Sequence, residues 1–303
     1  MIGPIAGSIA NPNAHRQPIG AAQGSKRSRR GGSQAAPALC RQWRSDMLTR
    51  TIETRVLPAL ALAHRHDDGD HGPDPGAAEL ESFLALVLAN DLPACIARVE
   101  QLAARGLGLA DICLKVLAPA AGRFGAMWDD DQCSFVDVTA GLGTLRSILH
   151  RLRDICGPGL PIRDDSRRVL LASLAADRHS FGLQMVGDVF RHSGWDVTVA
   201  TGATEDELIE AVRGRWFAVA GLSIARSEHT GLLARTIRAI RRASCNRAIG
   251  ILAGGPALSQ APDLARLAGA DATASDARQA VSRAEDLRVL MASLRHEPNT
   301  AAM

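Results

Sequence analysis

Residues 169–182 read VLLASLAADRHSFG, and the fold of the chain turns on how this stretch divides. Val169-Leu170-Leu171-Ala172 is an apolar run of the length and type of a strand buried on both faces of a parallel sheet. The run gives way to Asp177-Arg178-His179-Ser180, and then Leu183, Val186, Val189 and Phe190 follow at helical spacing. A loop between a first strand and the helix after it lies at the carboxyl edge of the sheet, where open α/β folds bind ligands. His179 is therefore the candidate binding side chain. Asp177, two residues upstream, is suited to accept the imidazole's second N–H, which fixes the tautomer and raises ligand basicity. Gly182 removes a side chain at the mouth of the helix. A loop histidine bonded to a nearby aspartate is also a common structural arrangement, so this pair decides nothing alone.

Two more strand ends carry the argument further. Ser223 follows the apolar run Ala218–Leu222, and Gly254-Gly255 follows Ile249–Ala253. D-x-H-x-x-G, a serine and a glycine pair thus close three candidate strands along one edge. This pattern resembles the cobalamin-binding domain of methionine synthase and the mutases, whose signature is DxHxxG, then SxL, then GG. The middle element here reads Ser223-Ile224-Ala225, so alanine stands where leucine is usual and one wall of the pocket is thinner. The resemblance implies that His179 is the lower axial ligand of cobalt, supported by Asp177, with Gly182 beside it. It also implies that the dimethylbenzimidazole tail enters a slot beside the sheet, lined by Ser223, Gly254 and Gly255. Both glycines are expected to leave room for that tail, so that filling either one should block the ligand and spare the fold.

From residue 168 onward the pattern alternates between strands (near 168–174, 196–200, 217–222, 248–253 and 271–273) and helices (near 181–193, 204–213, 228–242, 257–268 and 276–294). Residues 168–295 therefore read as a flavodoxin-like, Rossmann-type α/β domain with five parallel strands. Residues 39–156 read as a four- or five-helix bundle, with Asp91 capping a helix that holds Pro93 in its first turn and ends at Gly106. A following helix, about Leu109 to Phe124, is expected to be interrupted near Pro119. Residues 157–167, with Gly157, Pro158, Gly159 and Pro161, read as a linker.

Between two of the bundle helices, Trp128 to Thr139 gives W-x-x-D-x-x-S-F-x-x-V-T. This resembles the helical module of the AerR/PpaA photosynthesis regulators, antirepressors of the CrtJ/PpsR repressor. The CarH-type light-sensing repressors have a Glu-His pair in this stretch, where Val138-Thr139 stands here. The resemblance implies that Trp128 and Phe135 cover the upper face of the cobalamin, and both are expected to be packed core anchors as well. It further implies a regulator acting on a DNA-binding repressor of the CrtJ/PpsR type, rather than an enzyme. The ligand would be adenosyl-, methyl- or hydroxocobalamin. A corrinoid shuttle that carries methyl groups between methyltransferases is the alternative, and so is a haem sensor using His179 on the same scaffold.

Other chemistries fail on their residues. D-R-H-S-F-G lacks the G-x-G-x-x-G of a nicotinamide site. A phospho-receiver needs an aspartate where Ser223 stands. The six cysteines (Cys40, Cys95, Cys113, Cys133, Cys156, Cys245) include no C-x-x-C and read as core thiols. No run reaches the roughly 18–20 apolar residues of a membrane span, and the expected compartment is the cytoplasm. Net charge is +3, yet residues 1–38 hold Arg16, Lys26, Arg27, Arg29 and Arg30 and no acid. That segment, rich in Gly, Ser, Pro and Ala, reads as a disordered basic tail, suited at most to weak, sequence-independent contact with DNA. His64–Gly76 (HRHDDGDHGPDPG) is a solvated linker by composition and residues 296–303 form a second tail.

Overall fold

The computed structural model describes residues 75–162, 165–174, 180–261 and 263–293. The basic tail, the part of the expected bundle from residue 39 onward, the His- and Asp-rich stretch up to residue 74, Asp177, His179 and the last residues lie outside the described residues.

The helical half opens with α1 (Ala77–Leu88) and α2 (Leu92–Ala104). Asp91 caps α2 by accepting a bond from the Ala94 N–H at 3.1 Å, and Gly106 turns the chain after it at φ +95°. A four-residue helix α3 (Leu109–Ile112) then runs without a break into a π-helical turn (Cys113–Leu117) and α4 (Ala118–Asp129). The interruption expected near Pro119 is thus a change of register rather than an end. Proline lacks an N–H and its ring crowds the carbonyl four residues back, and the wider π turn just ahead of it lets the helix continue. The long helix α5 (Phe135–Ile155) starts in a reciprocal cap: Ser134 Oγ accepts from the Asp137 N–H at 3.2 Å, and Asp137 accepts from the Ser134 N–H at 2.9 Å. The bonds from the Ser134 hydroxyl and N–H hold the Asp137 carboxyl below its ordinary range.

Leu145, Ile148 and Leu152 form the buried stripe of α5 and meet Val99, Leu102, Ile112 and Leu117. Cys95 and Cys113 are fully buried in the same core. Burial, and after it the Asp91 carboxylate, pushes the Cys95 thiol up to about 11. Burial raises the Cys113 thiol further, with the Asp188 carboxylate adding to it. Both stay protonated and apolar near neutral pH, as core thiols should.

The α/β half alternates β1 (Arg168–Leu174), α6 (Phe181–His192), β2 (Asp196–Ala203), α7 (Glu205–Gly214), β3 (Val219–Ser223), α8 (Thr230–Ala243) and β4 (Gly250–Gly254). It finishes with α9 (Pro256–Gln260), α10 (Asp263–Ala268), β5 (Ala272–Ala274) and α11 (Ala277–Ser293). The helix expected over 257–268 is thus two shorter ones. All strand pairs are parallel, in the order β2-β1-β3-β4-β5, the flavodoxin-like arrangement expected. Leu170, Ala220, Leu222 and Ile251 pack on one face of the sheet with Leu233 and Ile237 of α8. Val169, Leu171, Val219 and Leu252 pack on the other with Phe190 of α6 and Ala284 of α11.

The halves share a core. Phe181, Met185 and Val189 of α6 and Ala277 of α11 sit in the apolar cluster of the helical half. Polar contacts reinforce it: Arg278 donates to Asp111 at 2.8 Å and Arg153 donates to Asp188 at 2.5 Å. The linker is held too, because the Leu160 N–H donates to the His192 carbonyl at 2.7 Å and Gly159 lies against the His192 backbone.

Packing is tight where α4 crosses α5. A Cβ on Gly141 would come 2.5 Å from the ring of the buried Phe124. Gly141→Val should force that ring out of its place and cost about 1–3 kcal/mol, the usual range for overpacking. Urea denaturation measures this, and an unchanged midpoint would show that Phe124 yields freely.

Candidate functional site

The sheet registers set out the site. Ser173, Ser223, Gly254 and Ala274 are partners in succession, so they form one row across β1, β3, β4 and β5 at the carboxyl end. The row behind it is Leu171, Gly221, Leu252 and Ala272. Side chains in the front row are small, and on that face they cannot fill the space up to α6 and α11. A cavity of about 500 Å³ remains, within the ~300–1,000 Å³ typical of small-molecule sites. Leu171, Gly221 and Leu252 line its deep end, and Gly182 and Met185 of α6 and Ala280 of α11 form its wall. Leu114, Ala118 and Pro119 reach it from the helical half. The lining is apolar for the most part, with hydroxyls from Ser173, Ser223, Ser259 and Ser275 at the sheet edge.

Of the residues singled out by sequence, Gly182, Ser223, Gly254 and Gly255 all line this one cavity, and Ala225 does so where leucine was expected. The glycines differ in their reasons. A Cβ on Gly182 would meet no protein atom within 4 Å, so its missing side chain is space left open. At Gly254 a Cβ would come 3.1 Å from the Ala274 carbonyl, a tight but local contact. Gly255 has φ +104°, and a Cβ there would run into the Ile224 carbonyl and lie 2.8 Å from Ser223 Oγ. The expectation that a side chain at Gly255 would spare the fold is therefore corrected: the protein's own backbone requires this glycine.

Trp128 and Phe135 are placed elsewhere. They do not line the cavity, and they touch each other edge to face with ring centroids 6.3 Å apart. Trp128 is 47% exposed and Phe135 70%, which corrects the expectation that they anchor the core. Trp128 lies in the last turn of α4, and Phe135 is the first residue of α5 after the Ser134 cap, beside an equally exposed Val136. Ten residues separate Trp128 from Ala118 along α4, about 15 Å of helix.

Several lining residues escaped the sequence reading. Gly221 carried a signal, since glycine inside a strand marks a close approach or a missing side chain. A Cβ on it would lie 2.7 Å from Leu171 Cδ2. Leu114, Ala118 and Pro119 carried none, because their place in the cavity follows from how the two halves pack. Among the described residues no group of three or more His, Cys, Asp or Glu could hold a metal ion, and no helix is long and apolar enough to cross a membrane.

Comparison with known proteins bears on this cavity. A Rhodobacter capsulatus protein, the uncharacterized 20.5 kDa protein in the bchF-crtJ intergenic region, is 23% identical over 163 residues, which cover 54% of this chain and 84% of that one. The structure of the Methanosarcina barkeri monomethylamine corrinoid protein superposes with a TM-score of 0.53 at 15% identity, over 69% of this chain and 96% of its own, and so shares the fold. Residues 167–284 match the B12 binding domain family, and they supply the whole sheet and most of the cavity wall. The α/β half of this chain is thus a B12-binding domain.

Proposed function

We propose that the chain is a cobalamin-responsive regulator that acts on a DNA-binding repressor of photosynthesis genes, of the CrtJ/PpsR type. One observation carries the reading: the cavity beside the sheet is walled by both halves, with Leu114, Ala118 and Pro119 facing Gly182, Ser223 and Gly254. An occupant therefore contacts the helical half directly, and two ligand states that differ in those contacts bias its packing differently. The relative's gene location, named by crtJ, supports this choice of partner. So does the W-x-x-D-x-x-S-F-x-x-V-T stretch, whose Trp128, Phe135 and Val136 offer an apolar surface.

The residues present suit cobalamin. The small front row, the open space at Gly182 and the serine hydroxyls fit a flat base on a nucleotide arm. Bound cobalamin would supply a cobalt centre with an exchangeable, photolabile upper group. His179 is assigned to cobalt and Asp177 to its second imidazole nitrogen, on the sequence motif. Ser223 would donate to the buried arm. Gly182 and Gly254 would admit it. Ser180, next after His179 in the chain, accepts a bond from Arg146 of α5 at 3.0 Å, which ties the helical half to the motif.

Binding is tested by titrating the full chain with hydroxocobalamin under an absorption spectrum. His179→Ala should abolish most affinity or leave the cofactor's own base on cobalt, and an unchanged base-off spectrum would remove His179 from the metal. Asp177→Asn should weaken binding less, since the nitrogen donor survives. Gly182→Val should weaken it roughly tenfold, equal to about 1.4 kcal/mol, with the far-ultraviolet circular dichroism unchanged. Normal titration of Gly182→Val would place the ligand outside this cavity.

Regulation is tested by measuring the affinity of apo, dark and illuminated protein for a CrtJ/PpsR-type repressor. The expected outcome is a difference between states. Equal affinity in all three, together with methyl transfer to a thiol or pterin acceptor, would instead make the chain a corrinoid shuttle.

A further inference from the structure

A second concavity, of about 410 Å³, shares no lining residue with the cobalamin cavity. It lies between α5, α6 and the edge strand β2. Arg146 and Arg153 are seven residues apart on α5, and Asp188 and Arg191 are three apart on α6, so helical periodicity brings four charges to one groove.

The charges do not balance within the chain. Asp188 is 2% exposed, and its Oδ1 accepts from Arg153 at 2.5 Å and from Arg191 at 2.8 Å. Arg146 adds a third guanidinium, leaving a formal excess of two positive charges among these lining residues. A guanidinium carries five N–H donors in a planar fork, and the bonds named engage one nitrogen of each. Arg153 and Arg191 remain 48% and 41% exposed, so the rest of each fork is open to a ligand. Asp188 Oδ2 is buried and has no hydrogen-bond partner. Leaving a buried acceptor unmet is costly, and the residue that carries it lines the groove. Val199, half-buried, gives the groove an apolar surface, with the buried Leu149 behind the lining.

We infer that this groove binds a phosphate ester of nucleoside-monophosphate size. Its dianionic phosphate would meet the arginine forks, which match phosphate geometry in bidentate fashion. Its organic body would cover Val199. A simple inorganic anion would satisfy the arginines and leave the apolar surface unused.

Isothermal titration of the full-length, cobalamin-loaded protein with AMP, inorganic phosphate and adenosine tests this. AMP should bind one to one and more tightly than phosphate, and adenosine should not bind measurably. Arg146→Gln, which leaves the Asp188 pairs in place, should weaken AMP roughly tenfold, as the loss of one charge-assisted bond predicts. Arg235→Gln, on the far helix α8 and paired with Glu205, should leave AMP binding unchanged and keep the cobalamin spectrum. The inference is overturned if AMP gives no heat at millimolar concentration, if it binds no tighter than phosphate, or if the two variants lose affinity equally.

Discussion

Ser173, Ser223, Gly254 and Ala274 stand in one row across the carboxyl end of the sheet, on the face that α6 and α11 cover. A parallel sheet must be covered on both faces, and protein interiors are otherwise packed as densely as organic crystals. Elsewhere that demand is met by Leu, Ile, Val and Phe. In this row it is not, because no side chain is larger than serine. Helices α6 and α11 are held off by the larger residues behind, so they cannot collapse onto the row, and the shortfall becomes a cavity. The space is therefore a product of sequence at four registered positions, and the family match of residues 167–284 gives it an occupant class.

Much of this was legible in the sequence, for local reasons. The switch from period 3.6 to alternating strands and helices gave five parallel strands at nearly their observed positions. Ser223 and Gly254 were found because a parallel strand ends where its apolar run ends, so that residues closing successive runs share one edge. The two glycines of the pair could not be told apart, since a positive φ at Gly255 is a property of the β4–α9 turn and not of the letters Gly-Gly. Trp128 and Phe135 misled for a similar reason. Large aromatics are buried more often than not, but here Trp128 lies in the last turn of α4 and Phe135 begins α5, and both stand outside the core. What no local pattern reveals is tertiary pairing: which face of the helical half lies against α6 and α11, and hence that Leu114 and Pro119 belong to the site.

The two halves are not independent bodies joined by a string. Phe181 and Met185 of α6 are at once the first turns after the cobalamin motif and members of the helical half's core. Asp111 links them again, accepting from Arg278 at 2.8 Å and lying 3.6 Å from Lys115. Gly159 fixes the linker against the end of α6. A change at the cavity is thereby imposed on packed side chains on both sides of it, and packed cores respond by switching arrangement more readily than by stretching.

The element best placed to respond is the π turn Cys113–Leu117. Leu114 and Pro119 both line the cavity, yet they are five residues apart. In a regular α-helix that spacing puts side chains about 140° apart around the axis, on faces too divergent to meet one surface. The wider π register reduces the divergence and brings Leu114, Ala118 and Pro119 to bear together. Pro119 in turn makes that register favourable, because a regular turn would crowd its ring against the preceding carbonyl. Isolated π turns inside α-helices are uncommon and concentrate at functional sites. Here the reason is visible: the same irregularity that accommodates the proline is what carries the helical half into contact with the B12-binding domain's cavity.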